Sequence, residues 1–332
     1  MKIAFFETNP GDEEILRAAL PGHELVFSPD PLFEDTASIA ADCEAVSVFI
    51  HSDVNQAVIE SLPHLRAVAT RSTGYDHIDL DTARNRDVAV MNVPSYGENT
   101  VAEHTFALIL ALSRQVHRSY ARGRRGDYSI EGLMGFDLAG KTLGVIGTGR
   151  IGLHVIRIAK GFGMHVLACD PHTDQFLSEV LHFRYAPLDE VLAGSDIVTV
   201  HVPLVPATTH LINRENIGQF RKGSLLINTS RGGIIENEAI ISGLDRGILA
   251  GAGLDVLEGE EHITEEAQCL RGGCDEETAR HAAENRDLLS RDNVVYTPHI
   301  GFYSEEALRR ILDTTAQNLR AFVGGAPTNT IG

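Results

Sequence analysis

No stretch of this 332-residue chain stays apolar for the ~20 residues that a bilayer-spanning helix needs. The opening MKIAFFE reaches an acid after a short apolar run, which reads as a strand and not as a signal peptide. Positive charge is scarce: 28 Lys and Arg against 46 Asp and Glu leave a formal charge of −18, which argues against nucleic acid or an anionic membrane as a partner. An anionic small molecule is still admissible, because one local arginine can reverse the field inside a cleft. Cysteine is scarce too, and the four at 43, 169, 269 and 274 form no C-x-x-C pair. Cys43 and Cys169 lie in or beside apolar runs and read as small core residues. Cys269 and Cys274, near His262 and His281, match no common zinc spacing, so no metal is expected. The expected location is the cytoplasm.

What is present is organised around KTLGVIGTGRIGLHVIRIAKGFGMHVLACD, residues 141–170. The apolar run Leu143 to Ile146 predicts a buried strand, and Met164 to Cys169 predicts a second. Between them Gly147, Gly149 and Gly152 form G-x-G-x-x-G, followed by Ile151, Val155, Ile158 and Ala159 at helical spacing. Glycines at these positions allow a sharp turn, close approach of backbone to a pyrophosphate, and tight helix–strand packing. The helix N-terminus offers unpaired N–H groups and the positive end of its dipole. Asp170 closes the second strand, where a carboxylate can accept the ribose hydroxyls of NAD. No arginine directly follows it, so a 2′-phosphate would meet negative charge, and NAD is expected over NADP.

Around this unit strands and helices alternate. Short apolar runs at Ile3–Phe6, Leu25–Phe27, Val46–Ile50, Val68–Thr70 and Val88–Asn92, with helical segments at Glu13–Leu20, Val54–Leu62 and Leu80–Arg86, predict a parallel α/β domain with no glycine fingerprint of its own. Val101 to Val116 is apolar on more than one face and predicts a buried or interfacial helix, capped at Asn99-Thr100 with Glu103 in a capping box. Arg118 to Gly126 reads as a solvated loop. After residue 170 the rhythm resumes: helices at Leu188–Leu192, Arg214–Phe220 and Glu238–Arg246, and strands at Ile197–Val202, Leu225–Thr229, Ala252–Val256 and Val294–Thr297. The acidic stretch from His262 to Arg291 reads as a helix-containing surface excursion of no assigned role. Glu305 to Phe322 predicts a final amphipathic helix that folds back onto the first domain. The expectation is an α/β protein of two doubly wound, Rossmann-like or flavodoxin-like domains with parallel sheets and a cleft between them. Residues 1–100 with 300–332 form a discontinuous substrate domain, and 101–299 the nucleotide domain.

In open α/β sheets ligands sit beyond the carboxyl ends of the strands. Arg231, directly after LLINTS, is at such a place more often a solvent-facing ion pair when taken alone; the functional reading is a guanidinium fork for a carboxylate and its neighbouring carbonyl. His299, just after VVYT, is placed for proton transfer to a carbonyl oxygen. Glu260, in LDVLEGE, is placed to hold that imidazole.

The runs NTSRGG, GLDVLEGE and TPHIGF, in this order behind GTGRIG, resemble the D-isomer-specific 2-hydroxyacid dehydrogenase family. RSTGYDHIDL and MNVPSYGENTVAEH resemble that family's substrate loop and domain crossover, and the wording looks closest to its D-lactate dehydrogenase-like branch. The resemblance implies NAD-dependent, reversible hydride transfer between NADH and a small 2-ketoacid such as pyruvate, or, alternatively, a glyoxylate or hydroxypyruvate reductase or an NAD-sensing corepressor. It implies Arg231 on the substrate, His299 as acid and base, and Glu260 as its partner. Gly147, Gly149, Arg150, Ile151, Gly152, Asp170, Val202, Pro203, Thr208, Thr229, Ser230, Asp255, His299 and Gly301 are implied at the cofactor, and Thr73, Gly74, Tyr96 and Phe302 at the substrate. It also implies a homodimer across the nucleotide domains, to which the apolar helix at 101–116 points as well.

Overall fold

Short runs of β-branched and small apolar residues set the strands. In chain order the first are β1 (Lys2–Phe5), β2 (Glu24–Phe27), β3 (Ala45–Val48), β4 (Ala67–Thr70) and β5 (Ala89–Met91), with α1 (Pro10–Ala19), α2 (Gln56–Ser61) and α3 (Leu80–Asn85) between them. β3 and β4 are buried at every position, as strands covered on both faces must be. Asn9 starts α1 in a capping box with Asp12, and Asn55 and Asp79 cap α2 and α3. Next come α4 (Glu98–Ser113), α5 (Val116–Gly123), β6 (Thr142–Ile146), α6 (Arg150–Gly161), β7 (His165–Cys169), α7 (Gln175–Val180), β8 (Arg184–Tyr185) and α8 (Leu188–Gly194). β9 (Ile197–Val200), β10 (Ser224–Asn228), α9 (Asn237–Asp245), β11 (Leu249–Leu254), α10 (Glu276–Ser290) and β12 (Val294–Tyr296) follow, and the chain ends with α11 (Glu305–Val323) and β13 (Thr330–Ile331).

The computed structural model describes residues 1–260 and 276–331, which divide into two compact units, Met1–Gly97 with Ser304–Gly332, and Glu98–Tyr303. The first unit holds one sheet in the order β13-β5-β4-β3-β1-β2, parallel except for β13, which pairs antiparallel with β5. Its order β2-β1-β3-β4-β5 is that of flavodoxin-like doubly wound sheets. One face is covered by a cluster that includes Val46, Val58, Ile59 and Val68. On the other, Leu312, Ala316 and Leu319 of α11 close over Ile3, Phe5, Ala67 and Ala69.

The second unit is a parallel sheet in the order β12-β11-β10-β9-β6-β7-β8. Counted from β6, this is the dinucleotide-binding order, with its switch point between β6 and β9. Apolar clusters cover both faces.

Several local expectations are corrected. α4 begins at Glu98, so Asn99 and Thr100 lie inside it, and Asn99 Nδ2 donates to Glu103 Oε1 at 3.2 Å as an i,i+4 side-chain pair instead of forming a cap. The apolar faces of α4 are consumed within its own unit: Phe106, Leu108, Ile109 and Leu112 are buried with Leu143, Val155 and Ile227. Its composition is therefore explained without a partner chain. Arg118 to Gly123 is helical, as part of α5; none of that helix is buried, which is why no apolar period announced it. Arg214–Phe220 contains only a single 3-10 turn, Ile217–Gln219. The side chains of Asn213 and Asn216 each accept backbone N–H groups there and so compete with a helix. α10 buries His281, Asn285 and Leu288 and is not a mere surface excursion. Cys269, Cys274 and His262 lie outside the described residues.

Candidate active site

The glycine turn has the shape a phosphate needs. Gly147 has φ +96°, and a Cβ there would lie 2.5 Å from the His201 carbonyl oxygen and 2.8 Å from Val202 Cγ1. A Cβ on Gly152 would lie 2.0 Å from the Gly147 carbonyl oxygen, whereas Gly149 opens on free space. Gly149 is the N-cap of α6 and supplies no side chain to cap it, which is the arrangement in which a helix N-terminus receives an anion. Arg150 itself reaches Glu98 at 3.3 Å.

Asp170 follows β7. Its Oδ2 accepts from Thr148 N at 2.7 Å and Thr148 Oγ1 at 3.0 Å, and its Oδ1 from His172 N at 2.8 Å. Burial pushes this carboxyl up, but these hydrogen bonds outweigh it and hold it below the ordinary range. A carboxylate has about four acceptor sites, so Oδ1 keeps room for a further donor.

Arg231, Asp255, Glu260 and His299 follow β10, β11 and β12, which are neighbours in the sheet. Their carboxyl ends therefore lie side by side. His299 Nδ1 is 2.9 Å from Glu260 Oε1. Glu260 Oε2 accepts from Leu257 N at 3.1 Å, closing a turn across residues 257–260. A Cβ on Gly232 would lie 2.0 Å from the Leu257 carbonyl oxygen, so the backbone next to Arg231 touches the Glu260 turn directly. Buried Asn228 donates through Nδ2 to the Arg231 carbonyl at 2.9 Å and holds that turn, while Arg231 Nη1 donates to Ser230 O at 2.9 Å.

Asp255 is only 1% exposed. Its Oδ1 accepts from Thr297 Oγ1 at 2.5 Å and Ile300 N at 3.0 Å, and lies 3.2 Å from His104 Nε2. Its Oδ2 accepts from Gly301 N at 2.8 Å, just where a side chain on Gly301 would collide. Burial raises this carboxyl, and the bonds from His104, Thr297 and Gly301 more than reverse it, leaving it lowered. The carboxylate thus shapes the loop that carries His299, whose N–H donates to Asp255 O at 2.8 Å and whose φ is +52°.

The remaining positions divide between the units. Val202 touches the Gly147 turn. Thr208 Oγ1 donates to Pro203 O at 2.5 Å, Thr229 Oγ1 pairs with Thr105 Oγ1 at 3.0 Å, and Ser230 Oγ donates to Val200 O at 2.7 Å. Phe302 stacks edge-on against Tyr303. Thr73, Gly74 and Tyr96 belong to the first unit. There the carbonyl oxygens of the loop are engaged: Asn92 Nδ2 donates to Thr73 O at 2.8 Å and Ser72 Oγ to Gly74 O at 2.5 Å. Arg71, beneath the loop, is buried and donates to the carbonyl oxygens of Phe6, Glu7 and Ser47. Burial pushes its guanidinium down to about 10, so it stays charged at neutral pH.

Residues 106–301 match the family model for the D-isomer specific 2-hydroxyacid dehydrogenase NAD binding domain. The chain belongs to that family. A 2-hydroxyacid dehydrogenase homolog from Haemophilus influenzae is 37% identical over 98% of this chain and 97% of its own length. The D-lactate dehydrogenase of Escherichia coli is 38% identical over 96% of each. Among solved structures, a D-lactate dehydrogenase from Aquifex aeolicus, in complex with NAD and lactic acid, superposes with a TM-score of 0.86 at 34% identity, over 98% of this chain and 96% of that one. The protein is thus an NAD-dependent D-2-hydroxyacid dehydrogenase, and the cradle at Gly147–Gly152 with Asp170 fits that cofactor.

In this dehydrogenase the supporting residues are what sequence reading overlooked: Asn228 under Arg231, His104 and Thr297 against Asp255, and a histidine–carboxylate contact between His210 and Glu258. Among the described residues Glu258, His281 and Glu284 also bring potential ligand atoms within 4.8 Å of one another. Arg280 already supplies the cation there, 3.8 Å from Glu284 and 3.3 Å from His281.

Proposed function

We propose that the physiological reaction is reduction of pyruvate or a slightly larger 2-ketoacid to the D-2-hydroxyacid. The carrying observation is the His299–Glu260 contact beside the strand end from which Arg231 emerges. Relatives named as D-lactate dehydrogenases favour a short side chain on the substrate. Bound NADH supplies the hydride that reaches the carbonyl carbon. Arg231 grips the substrate carboxylate and faces the carbonyl oxygen, where negative charge grows. His299 delivers the proton from Nε2, because Nδ1 is held by Glu260; in oxidation it takes the proton back. Thr73 and Gly74 are assigned the carboxylate through their backbone, since among the described residues neither N–H donates to an acceptor. Tyr96 and Phe302 are assigned to the substrate's side chain, and Asp255 acts on the nicotinamide region through the loop that it holds.

The test is NADH oxidation against a panel of 2-ketoacids. Pyruvate or 2-ketobutyrate should give the highest kcat/KM, and preference for glyoxylate or hydroxypyruvate would replace this reading with the alternative reductase. Arg231→Gln and His299→Ala should each lose about a hundredfold or more in turnover while still binding NADH. Wild-type rates in either would overturn the assignment. A homodimer is also proposed, now on the segment after α5, where Tyr128, Ile130 and Met134 are 85, 86 and 92% exposed. Such apolar exposure on one segment suits a second copy. Among the described residues Cys43 and Cys169 are free thiols, which suits the reducing cytoplasm.

A further inference from the structure

Glu258 takes no part in the chemistry above, yet the turn that carries Glu260 is fastened through it. Its carbonyl oxygen accepts from Asn237 Nδ2 at 3.2 Å and Asn285 Nδ2 at 3.1 Å. Its Oε2 lies 3.4 Å from Asn237 N, and its Oε1 is hydrogen-bonded to His210 Nε2. His210 lies in the turn after β9, at φ +50°. That left-handed conformation is uncommon outside glycine. It is held by His210 N donating to Gly233 O at 2.9 Å and by Asn213 Nδ2 donating to His210 O at 3.0 Å. The ring then meets two carboxylates, Glu258 at Nε2 and Glu236 at 3.7 Å from Nδ1. His210 therefore joins two loops. Its backbone is tied two residues beyond Arg231, and its ring is tied two residues before Glu260.

The turn between is short. Glu260 N donates to Leu257 O at 3.2 Å and Glu260 Oε2 accepts from Leu257 N at 3.1 Å, so Glu258 sits inside a closed loop of four residues. A shift of Glu258 is passed to the Glu260 carboxylate with little to absorb it. Misplacement of a reacting group by about 1 Å can cost on the order of a hundredfold in rate. We propose that His210 is a positioning residue, which anchors Glu258 and thereby holds Glu260 on His299 Nδ1. The inference rests on the assignment of Glu260 and His299 as the catalytic pair.

The experiment is a double-mutant cycle. His210→Ala and His210→Gln are made in the unmodified protein and in Glu260→Ala, with thermal melting to show that each is folded. kcat and KM are measured for 2-ketoacid reduction, and NADH affinity separately by fluorescence titration. His210→Ala should lower kcat about tenfold, with NADH affinity and KM for NADH changed less than about twofold. His210→Gln, which keeps a donor in place of Nε2, should recover most of the loss. In the Glu260→Ala background the same His210→Ala change should cost less than about twofold, because the group through which it acts is gone. Equal losses in both backgrounds, or a folded His210→Ala enzyme with undiminished kcat, overturn the proposal. If His210→Ala does not fold, Glu258→Gln carries the same cycle with the same expectations. No turnover by the unmodified protein, or a Glu260→Ala enzyme as fast as it, overturns the catalytic pair and this proposal together. A slow Glu260→Ala enzyme beside a fast His210→Ala enzyme overturns the proposal alone.

Discussion

His299 presents Nδ1 to Glu260 Oε1 at 2.9 Å, and that contact decides which end of the imidazole is free to meet a substrate. A neutral histidine carries its proton on one nitrogen only, so the partner at Nδ1 governs what Nε2 can do. Glu260→Gln should keep the hydrogen bond but weaken support for the charged ring. Its kcat/KM for 2-ketoacid reduction should fall about ten- to a hundredfold. Steady-state rates near neutral pH check this, and an undiminished value would remove Glu260 from the mechanism.

Asp170→Ala should lower the ratio of kcat/KM for NADH over NADPH by about tenfold or more, since the carboxylate that would repel a 2′-phosphate is lost. Thr148 also loses the acceptor for its N–H and hydroxyl, so NADH affinity should weaken as well. Initial rates with the two cofactors give the ratio. A value equal to that of the unmodified enzyme would show that another group reads the ribose.

Asp255→Asn should destabilise the second unit by about 1–3 kcal/mol at neutral pH, because the buried Gly301 N–H and the part-buried Ile300 N–H lose a charged acceptor. The folded-state carboxyl is lowered. Its stabilising contribution is therefore complete above the unfolded value of about 3.9 and is lost as pH falls from there through the lowered folded value. Urea melts of the two proteins should differ by a constant amount from pH 8 to pH 5 and converge in stronger acid. A gap that widens in acid would contradict this.

Ile130→Asp with Met134→Asp should leave the melting temperature of each protomer nearly unchanged, because surface substitutions usually cost less than about 0.5 kcal/mol. The same pair should shift the sedimentation coefficient from dimer to monomer. A monomeric unmodified protein would refute the homodimer, and a double variant that still sediments as a dimer would move the interface elsewhere.

The glycine cradle was legible because its reasons are local. Gly147 needs its φ of +96° and Gly152 its close approach to the Gly147 carbonyl, both features of the turn itself, and Asp170 is marked by its place at the next strand end. His299, Glu260 and Arg231 were legible as groups at strand ends, and the parallel order β12-β11-β10 makes those ends adjacent. The supports were not. His104 and Thr297 are 193 residues apart in the chain, and His210 and Glu258 are 48 apart. No periodicity or spacing links such pairs; only the finished sheet brings them together. α5 escaped for another reason: a helix that buries nothing leaves no apolar stripe. β13, two residues long, is defined by its partner β5 alone.

α11 and β13 come after Glu98–Tyr303 in the chain, yet they complete the sheet that begins at Lys2. During synthesis, the Ile3, Phe5, Ala67 and Ala69 face must therefore wait, with only Leu16 and Leu20 of the α1 region against it, while more than two hundred further residues leave the ribosome. The second unit, continuous in sequence, can reach its native state first. Nascent chains stalled before Ser304 should consequently recruit chaperones through their N-terminal third, although that third was made earliest.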